Sequence, residues 1–169
     1  MVNLTGLEGQ LEDLHPASFA WALGLCGRDA DEARDVLQET YLKIFEGKAR
    51  FEGRSSLKTW LFAVIRRTAA ARRRSRWLRE LRFVFLDVSG IADDAESAER
   101  RVLHSERTQA LLEALARLAR RQREIIELVF YHDLTIEEAA GVIGVSVGTA
   151  RMHYHRAKQR LLAELEARS

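Results

Sequence analysis

Residues 135–156 read TIEEAAGVIGVSVGTARMHYHR, and this stretch decides the fold of the C-terminal part of the chain. Thr135, followed three residues later by Glu138, forms a capping box and predicts the start of a short helix. Gly144 can adopt the left-handed conformation that ends such a helix, and Ser146 can cap the helix that follows. Two helices joined by so tight a turn predict a helix-turn-helix unit, with an ordinary helical hairpin as the alternative.

The second helix of this unit, expected to reach Leu165, would carry a DNA-reading surface. A recognition helix enters the major groove with its N-terminal residues, so side chains one turn apart on its outer face can contact bases. Arg151 can donate two hydrogen bonds to a guanine, and the amides of Gly148 and Thr149 can bind a phosphate. We expect four residues to face inward, namely Ala150, Tyr154, Ala157 and Leu161. The predicted DNA contacts are Glu137, Val147, Gly148, Thr149, Arg151, Met152, His155 and Arg156.

The composition of the whole chain is that of an all-helical globular protein. Its 169 residues include one Pro and ten Gly, with 47% hydrophobic and 31% charged residues. Ala, Leu, Arg and Glu are abundant, and all four favour helices. We therefore expect an all-α fold, and the length permits one domain or two small ones.

Three helices are predicted in the N-terminal half. A short one spans roughly Pro16 to Cys26, and a long one runs from Leu57 to about Leu81. Between them, Asp29 is placed to cap a helix that reaches about Glu46, with Glu32 completing a capping box. The apolar stripe of this middle helix is Ala33, Val36, Leu37, Tyr41, Ile44 and Phe45, which follows the helical period.

Charge is distributed unevenly although the net charge is only +2. Residues 1–47 carry three basic and nine acidic side chains, whereas residues 48–82 carry 12 basic and two acidic ones, a net charge of +10. Such a block predicts binding to a polyanion through phosphate neutralisation, with a solvated helix face as the alternative. Residues 83–99 carry five acidic side chains and no basic one.

That acidic segment lacks a long helical apolar stripe, and we interpret it as part of a flexible linker. The predicted organisation is two small helical domains, residues 1–83 and 105–169, joined by a linker over residues 84–104. The helix-turn-helix lies in the second domain.

Several classes of protein are disfavoured. The single cysteine, Cys26, cannot form an internal disulfide, and we expect it to be a buried thiol. The sequence contains no run of about 18 apolar residues, which a membrane-spanning helix would need. We therefore expect a cytoplasmic protein without membrane insertion. The five histidines show no metal-ligand spacing, and no catalytic triad, phosphate loop or paired carboxylates stand out. We expect no metal, no cofactor and no enzymatic activity.

Two blocks of sequence resemble a known family. Residues 31–45, DEARDVLQETYLKIF, and 51–61, FEGRSSLKTWL, look like region 2 of extracytoplasmic-function sigma factors of the sigma-70 family. Residues 121–126, RQREII, with 134–140, LTIEEAA, and 144–151, GVSVGTAR, look like their region 4. The resemblance extends from about residue 15 to 165.

This resemblance implies a division of labour. Region 2 of such proteins binds the clamp of the β′ subunit of RNA polymerase and reads the promoter −10 element, whereas region 4 binds the −35 element and the β flap. The residues that match the clamp-binding surface are Asp35, Gln38, Glu39 and Leu42. Their alternative role is a solvated helix face. The resemblance also implies an anti-sigma factor as partner.

The loop from Arg50 to Lys58 matches the family's pocket for a base flipped out of the non-template strand. Phe51 and Trp60 could stack on bases, although Trp60 lies within an apolar helical stripe and fits the core as well. The predicted −10 contacts are Phe51, Arg54, Ser55, Lys58, Arg66, Arg67, Arg73 and Arg74.

The predicted function is that of an alternative sigma factor that directs RNA polymerase to specific promoters and initiates transcription. A stand-alone helix-turn-helix regulator is the alternative. That alternative leaves residues 35–45 and the basic block at 48–82 without a purpose.

Overall fold

The computed structural model describes residues 4–86 and 106–167. These parts of the chain contain eight α-helices and no strand, which confirms the expected all-α class. The helices are α1 (Leu4–Asp13), α2 (His15–Leu25), α3 (Ala30–Phe45), α4 (Leu57–Leu86), α5 (Glu106–Ala116), α6 (Arg120–Ile126), α7 (Ile136–Ile143) and α8 (Val147–Glu166). None of them is long and apolar enough to cross a membrane.

Asp29 caps the start of α3 as predicted, whereas Glu32 contacts other residues than expected. Asp29 accepts hydrogen bonds from the amides of Asp31 and Glu32, each at 3.0 Å. The expected capping box is wrong, because the carboxylate of Glu32 does not turn back to the helix start. It pairs instead with Arg72 at 3.1 Å and with Arg76 at 2.6 Å, both on α4.

The long helix α4 continues through Leu86 and not to about Leu81. No Gly or Pro interrupts residues 57–86, so nothing in the local sequence stops the helix at the expected place. Residues 84–86, assigned to the linker from sequence, are therefore helical. The rest of the predicted linker, residues 87–104, lies outside the described residues.

A π-helical turn, Glu127–Tyr131, follows α6 directly and was not anticipated. Such turns are rare and often occur at functional sites. Here the turn leaves the side chains of Phe130 and Tyr131 exposed, at 61% and 69%, while Leu128 stays fully buried.

The core of the N-terminal half lies where α2, α3 and α4 pack together. Trp21 is fully buried, stacks on Phe62 with 5.8 Å between ring centroids, and donates a 3.1 Å hydrogen bond to the Phe62 carbonyl. Because a buried indole N–H needs an acceptor, this bond fixes the distance between α2 and α4. In the C-terminal half, α6 and α7 pack against α8.

The two halves of the molecule are in contact, because α4 packs on α7. The ring of His132, just after the π-helical turn, lies edge-on to Trp21 and Phe62 at 5.9 and 4.8 Å between centroids. Lys58 donates a 2.5 Å hydrogen bond to the His132 carbonyl. One hydrophobic cluster therefore runs through both halves. The division into domains 1–83 and 105–169 stays a prediction.

Candidate nucleic-acid and protein interfaces

A basic groove opens between the end of α3, the loop that follows it and one face of α4. Its volume is about 470 Å³, within the range of small-molecule sites. Four basic side chains and one indole line it together with small residues. The lining residues are Lys43, Lys48, Ala49, Arg50, Trp60, Val64, Arg67, Thr68 and Ala71.

Trp60 is half-buried and lines this groove, so it belongs both to the edge of the core and to the groove wall. The ring of Phe51 lies 5.4 Å from it, inclined by 53°. An aromatic pair beside cationic side chains is the combination that binds single-stranded nucleic acid, since bases stack and phosphates pair with the cations.

Among the eight residues predicted to contact the −10 element, Arg67 lines this groove and the other seven do not. Arg54 is exposed in the preceding loop and pairs with Glu52 at 2.9 Å, while Ser55 beside it is also exposed. Lys58 is half-buried, since its ammonium is bound to the His132 carbonyl.

Arg66 lies between the two halves of the molecule. Its guanidinium donates a 3.0 Å hydrogen bond to Glu124 of α6, and the two side chains are only 12% and 5% exposed. Arg120 donates to the other oxygen of Glu124 at 2.9 Å. In this arrangement the guanidinium of Arg66 is engaged by α6.

Arg73 and Arg74, the last two residues predicted for the −10 element, have different surroundings. Both side chains are exposed. Partial burial is the main reason that the pKa of Arg73 is lowered, and the positive charge of Arg120 lowers it further.

The outer face of α3 combines acidic and apolar side chains. Asp35 and Gln38 are exposed, Glu39 is half-buried, and Leu42 is 52% exposed. Phe45, expected in the apolar stripe, is 51% exposed because it is the last residue of the helix and follows Leu42 on its outer side. The face is thus more apolar than predicted.

Arg72 of α4 holds the acidic part of this face together. Its guanidinium pairs with Glu32 at 3.1 Å, Asp35 at 3.0 Å and Glu39 at 3.3 Å. Hydrogen bonding to Glu32 is the main reason that the pKa of Arg72 is raised. Glu39 also pairs with Lys43 at 2.6 Å, and Lys43 donates a 3.3 Å hydrogen bond to the buried Thr68.

The helix-turn-helix unit is confirmed in its local geometry. Thr135 and Glu138 form the predicted reciprocal capping box. Gly144 has φ +69°, which a residue with a Cβ rarely adopts, and Ser146 accepts a 3.2 Å hydrogen bond from the amide of Thr149. The two helices cross where Ala140 is only 2% exposed, so its small side chain permits close packing.

The outer surface of α8 carries most of the predicted −35 residues. Five of them are exposed, namely Gly148, Arg151, Met152, His155 and Arg156, and Thr149 is half-buried. Val147 was expected to face outward but is half-buried against the core, because it begins the helix directly after the turn. Of the four residues expected inward, Ala150 and Ala157 are fully buried, whereas Tyr154 and Leu161 are half-buried.

The structure has an aromatic patch near the helix-turn-helix that was not predicted from the sequence. Phe130 of the π-helical turn stacks on Tyr154 of α8, with 5.9 Å between ring centroids and an interplanar angle of 16°. Tyr131, the next residue in the chain, is largely exposed, and its ring lies edge-on to His132. Only the irregular turn brings these rings to the surface, so the helical period of the sequence gave no signal for the patch.

Cys26 is half-buried, and burial, with the charge of Glu32, raises the pKa of its thiol to about 11. The thiol is therefore protonated and unreactive at neutral pH. Within residues 4–86 and 106–167, no group of three or more His, Cys, Asp or Glu side chains is placed to hold a metal ion.

Comparison with known proteins gives consistent matches. The family model for sigma-70 region 2 matches residues 11–79, and that for sigma-70 region 4 matches residues 108–161. The ECF RNA polymerase sigma factor EcfG of Rhodopseudomonas palustris is 33% identical over 157 residues, which cover 89% of this chain and 80% of that protein. The RNA polymerase sigma factor YlaC of Bacillus subtilis is 26% identical over 158 residues, covering 89% of each.

A solved structure is also similar to this chain. The sigma factor RpoE of Bartonella quintana, in complex with the anti-sigma factor NepR, superposes with a TM-score of 0.73 at 28% identity. The match covers 95% of this chain and 97% of that one.

Proposed function

This chain belongs to the extracytoplasmic-function group of the sigma-70 family, and on that premise we propose how its surfaces are divided between polymerase and promoter. As a sigma factor it directs RNA polymerase to specific promoters and initiates transcription. In our proposal residues 1–83 bind the polymerase core and the −10 element, residues 105–169 bind the −35 element, and residues 84–104 join them. A stand-alone regulator is disfavoured, because it would leave the region 2 match unexplained.

The basic groove carries this proposal. A base flipped from the non-template strand needs an aromatic surface and cations for the flanking phosphates. Trp60 supplies the former, and Lys48, Arg50 and Arg67 supply the latter. We assign the groove to the −10 element, with Phe51 and Arg74 extending the same surface.

The outer face of α3 is proposed to bind the clamp of the β′ subunit. Asp35 and Glu39 offer carboxylates to a basic coiled coil, Gln38 offers an amide, and Leu42 offers an apolar contact. Phe45 extends the apolar area beyond the predicted residues. A buried apolar centre with charges around it is the usual anatomy of a protein interface.

The C-terminal half has two proposed contacts. The exposed strip of α8 around Arg151 and His155 reads the −35 element in the major groove. The aromatic patch of Phe130 and Tyr131 suits an apolar protein partner, and we assign it to the β flap.

A sigma factor of this group is also proposed to be controlled by an anti-sigma factor, by analogy with RpoE of Bartonella quintana. We propose that the chain works in the cytoplasm and that it performs no catalysis of its own. The chemistry of transcription then belongs to the polymerase.

In vitro transcription with core polymerase tests the groove assignment. The template set carries single-base changes across the −10 element, and the variants are Arg67→Ala and Trp60→Leu. We expect both to lose activity on the best promoter and Trp60→Leu to flatten the preference at one −10 position, since one stacked base is worth about 1–3 kcal/mol. The matched control is Gln159→Ala, an exposed change on α8. Unchanged −10 preference with Trp60→Leu would refute the groove as the base site.

A further inference from the structure

Three cations of the basic groove are available to a ligand. Arg67 is exposed and forms no ion pair with any residue within 4–86 and 106–167. Arg50 is exposed too, and its Nε donates a 3.1 Å hydrogen bond to the Gly47 carbonyl, which leaves the two terminal nitrogens of the guanidinium for a ligand. Lys48 pairs with Glu46 at 2.7 Å, but the two side chains are 69% and 51% exposed, and water weakens such a pair.

The turn after α3 holds two of these cations in position. Gly47 has the left-handed φ of +72°, which lets the chain reverse directly after the helix. The amide of Ala49 then donates a 2.9 Å hydrogen bond back to the Lys43 carbonyl. Lys48 and Arg50, on either side of Ala49, therefore project from a backbone that is already ordered. Cations held in this way bind an anion with little further loss of entropy.

The other wall of the groove is one strip of α4. Trp60, Val64, Arg67 and Ala71 line it at the spacing of successive helical turns, and Val64 is buried beneath the groove. Seven residues separate Trp60 from Arg67, which is about 10 Å along the helix axis. A nucleoside diphosphate has about this length from its base to its outer phosphate. The strip thus offers an aromatic surface at one end and a cation at the other.

The charge of the groove exceeds what a single DNA strand requires. A base flipped from a strand is flanked by two phosphates with one negative charge each, one on either side. A free nucleoside diphosphate carries about three negative charges, since its outer phosphate loses its second proton near pH 6, and all of them lie on one side of the base. Lys43 is already neutralised by Glu39 at 2.6 Å. The three remaining cations match the diphosphate, whereas the strand would leave one of them without a partner.

We propose that the basic groove binds a free nucleoside diphosphate, which stacks its base on Trp60, places its phosphates on Lys48, Arg50 and Arg67, and keeps promoter DNA out of the groove. The guanidinium groups suit this role because they bind phosphate through two parallel hydrogen bonds. By mass action, the nucleotide concentration then sets how much of the protein has a groove open to DNA. The competition rests on the proposed assignment of the groove to the −10 element, whereas the binding of nucleotide does not.

Isothermal titration calorimetry of the full-length free chain with ADP tests the site, at low salt and without magnesium. ADP should bind about tenfold more tightly than AMP, because the second phosphate adds charge-assisted hydrogen bonds. It should also bind about tenfold more tightly than inorganic pyrophosphate, which has no base to stack. Binding of ADP that is undetectable, or no tighter than that of AMP or of pyrophosphate, would overturn the proposal.

Variants locate the nucleotide. Arg67→Gln and Trp60→Leu should each weaken ADP binding about tenfold, and Trp60→Phe, which keeps a ring, should recover most of the loss. The matched control is Arg79→Gln, which removes an exposed cation of the same helix outside the groove and should change the affinity less than twofold. Circular dichroism confirms that each variant is folded. Equal losses from Arg79→Gln and Arg67→Gln would contradict the site, as they would show a general effect of charge.

Displacement of a fluorescent single-stranded oligonucleotide from the free chain tests the competition. ADP should displace it with an inhibition constant equal to the dissociation constant from calorimetry. An oligonucleotide that stays bound while ADP saturates the protein would refute the competition. Failure of the −10 assignment is read separately, from the base preference of Trp60→Leu in transcription. An unchanged preference there, with ADP bound as expected, would refute the DNA assignment and leave the nucleotide site in place.

Discussion

Arg151 on α8 donates a 2.8 Å hydrogen bond to the carboxylate of Glu137 on α7, and the two side chains are 66% and 56% exposed. The contact joins the two helices of the helix-turn-helix on their solvent side. A hydrogen bond from its own backbone amide, and then the one from Arg151, lower the pKa of Glu137. Glu137 therefore stays ionised at neutral pH and orients the guanidinium along the outer surface of α8.

Arg151→Ala should cost on the order of 1–3 kcal/mol of promoter binding and relax the preference at one −35 position, as the loss of a bidentate guanine contact does. The measurement is holoenzyme binding to promoters mutated base by base through the −35 element. Lys158→Ala serves as the control, since it removes an exposed cation of the same helix that is not among the predicted DNA contacts. If Arg151→Ala weakened all promoters equally, Arg151 would be a backbone anchor and not a base-reading residue.

Removal of Glu124 should destabilise the fold. Its carboxylate is almost fully buried and accepts hydrogen bonds from Arg66 and Arg120. Glu124→Ala leaves the buried guanidinium of Arg66 without a counterion, and loss of one partner of a buried pair costs about 3–5 kcal/mol. Urea unfolding followed by circular dichroism measures the change.

An exposed ion pair of the same kind gives the control for Glu124. Glu164 pairs with Arg117 at 2.6 Å, with side chains 35% and 57% exposed. Glu164→Ala should cost at most about 1 kcal/mol, because water screens exposed pairs. Equal costs for the two variants would mean that burial does not set the strength of the Glu124 contacts.

Limited proteolysis should cut first within residues 86–100, where the sequence is acidic and small and lacks an apolar stripe. The two fragments should nevertheless co-elute on size exclusion, because α4 packs on α7 and Lys58 is bound to the His132 carbonyl. Glu124→Ala should weaken this association by removing the partner of Arg66. First cuts elsewhere would show that the linker is misplaced, and separation of the wild-type fragments would show that the contact between the halves is weak.

The features predicted correctly from the sequence depend on neighbouring residues. Capping at Thr135 and Ser146, and the left-handed Gly144, are encoded within three or four positions. The sequence therefore predicts the helix-turn-helix in detail. Backbone conformation at such sites is set by short-range hydrogen bonds, which require no knowledge of the rest of the fold.

The features that the sequence missed depend on distant partners. Glu32 leaves its expected capping role for Arg72 and Arg76, 40 or more positions away, and Arg66 pairs with Glu124 from the other half of the molecule. Charge patterns within one helix cannot reveal such partners. Lys43 was overlooked for the same reason, since only the packing of α3 on α4 makes it part of the groove.

The junction between the two halves contains one half-buried and one buried titratable group, Glu127 and His132, whose titrations oppose each other. Burial raises the pKa of Glu127 from 4.5 to about 7, even though Arg28 and Arg123 act against it. Burial, with the charge of Lys58, lowers the pKa of His132 from 6.5 to about 4. The nearest atoms of the two side chains, a carboxylate oxygen and Nε2, are 4.0 Å apart.

Each group alone should make stability depend on pH, with opposite signs. Between pH 4.5 and 7 the folded chain holds a proton on Glu127 that the unfolded chain has released, so this contribution to stability is lost as the pH rises. Between pH 4 and 6.5 the unfolded chain holds a proton on His132 that the folded chain lacks, so this contribution is lost as the pH falls. Each shift corresponds to about 3 kcal/mol, and the two effects should largely cancel from pH 4.5 to 6.5.

Single substitutions should therefore expose a pH dependence that the wild type hides. In Glu127→Gln the His132 effect remains, so the free energy of unfolding should fall by up to about 3 kcal/mol, relative to wild type, between pH 6.5 and 4.5. In His132→Gln the Glu127 effect remains, so the free energy of unfolding should rise by a similar amount, relative to wild type, between pH 7 and 4.5. Urea unfolding at half-unit pH steps measures both differences, and the comparison with wild type removes the titration of exposed carboxylates. Parallel pH profiles for the three proteins would show that neither group titrates with a shifted pKa, because a change in mean stability alone moves a profile without altering its slope.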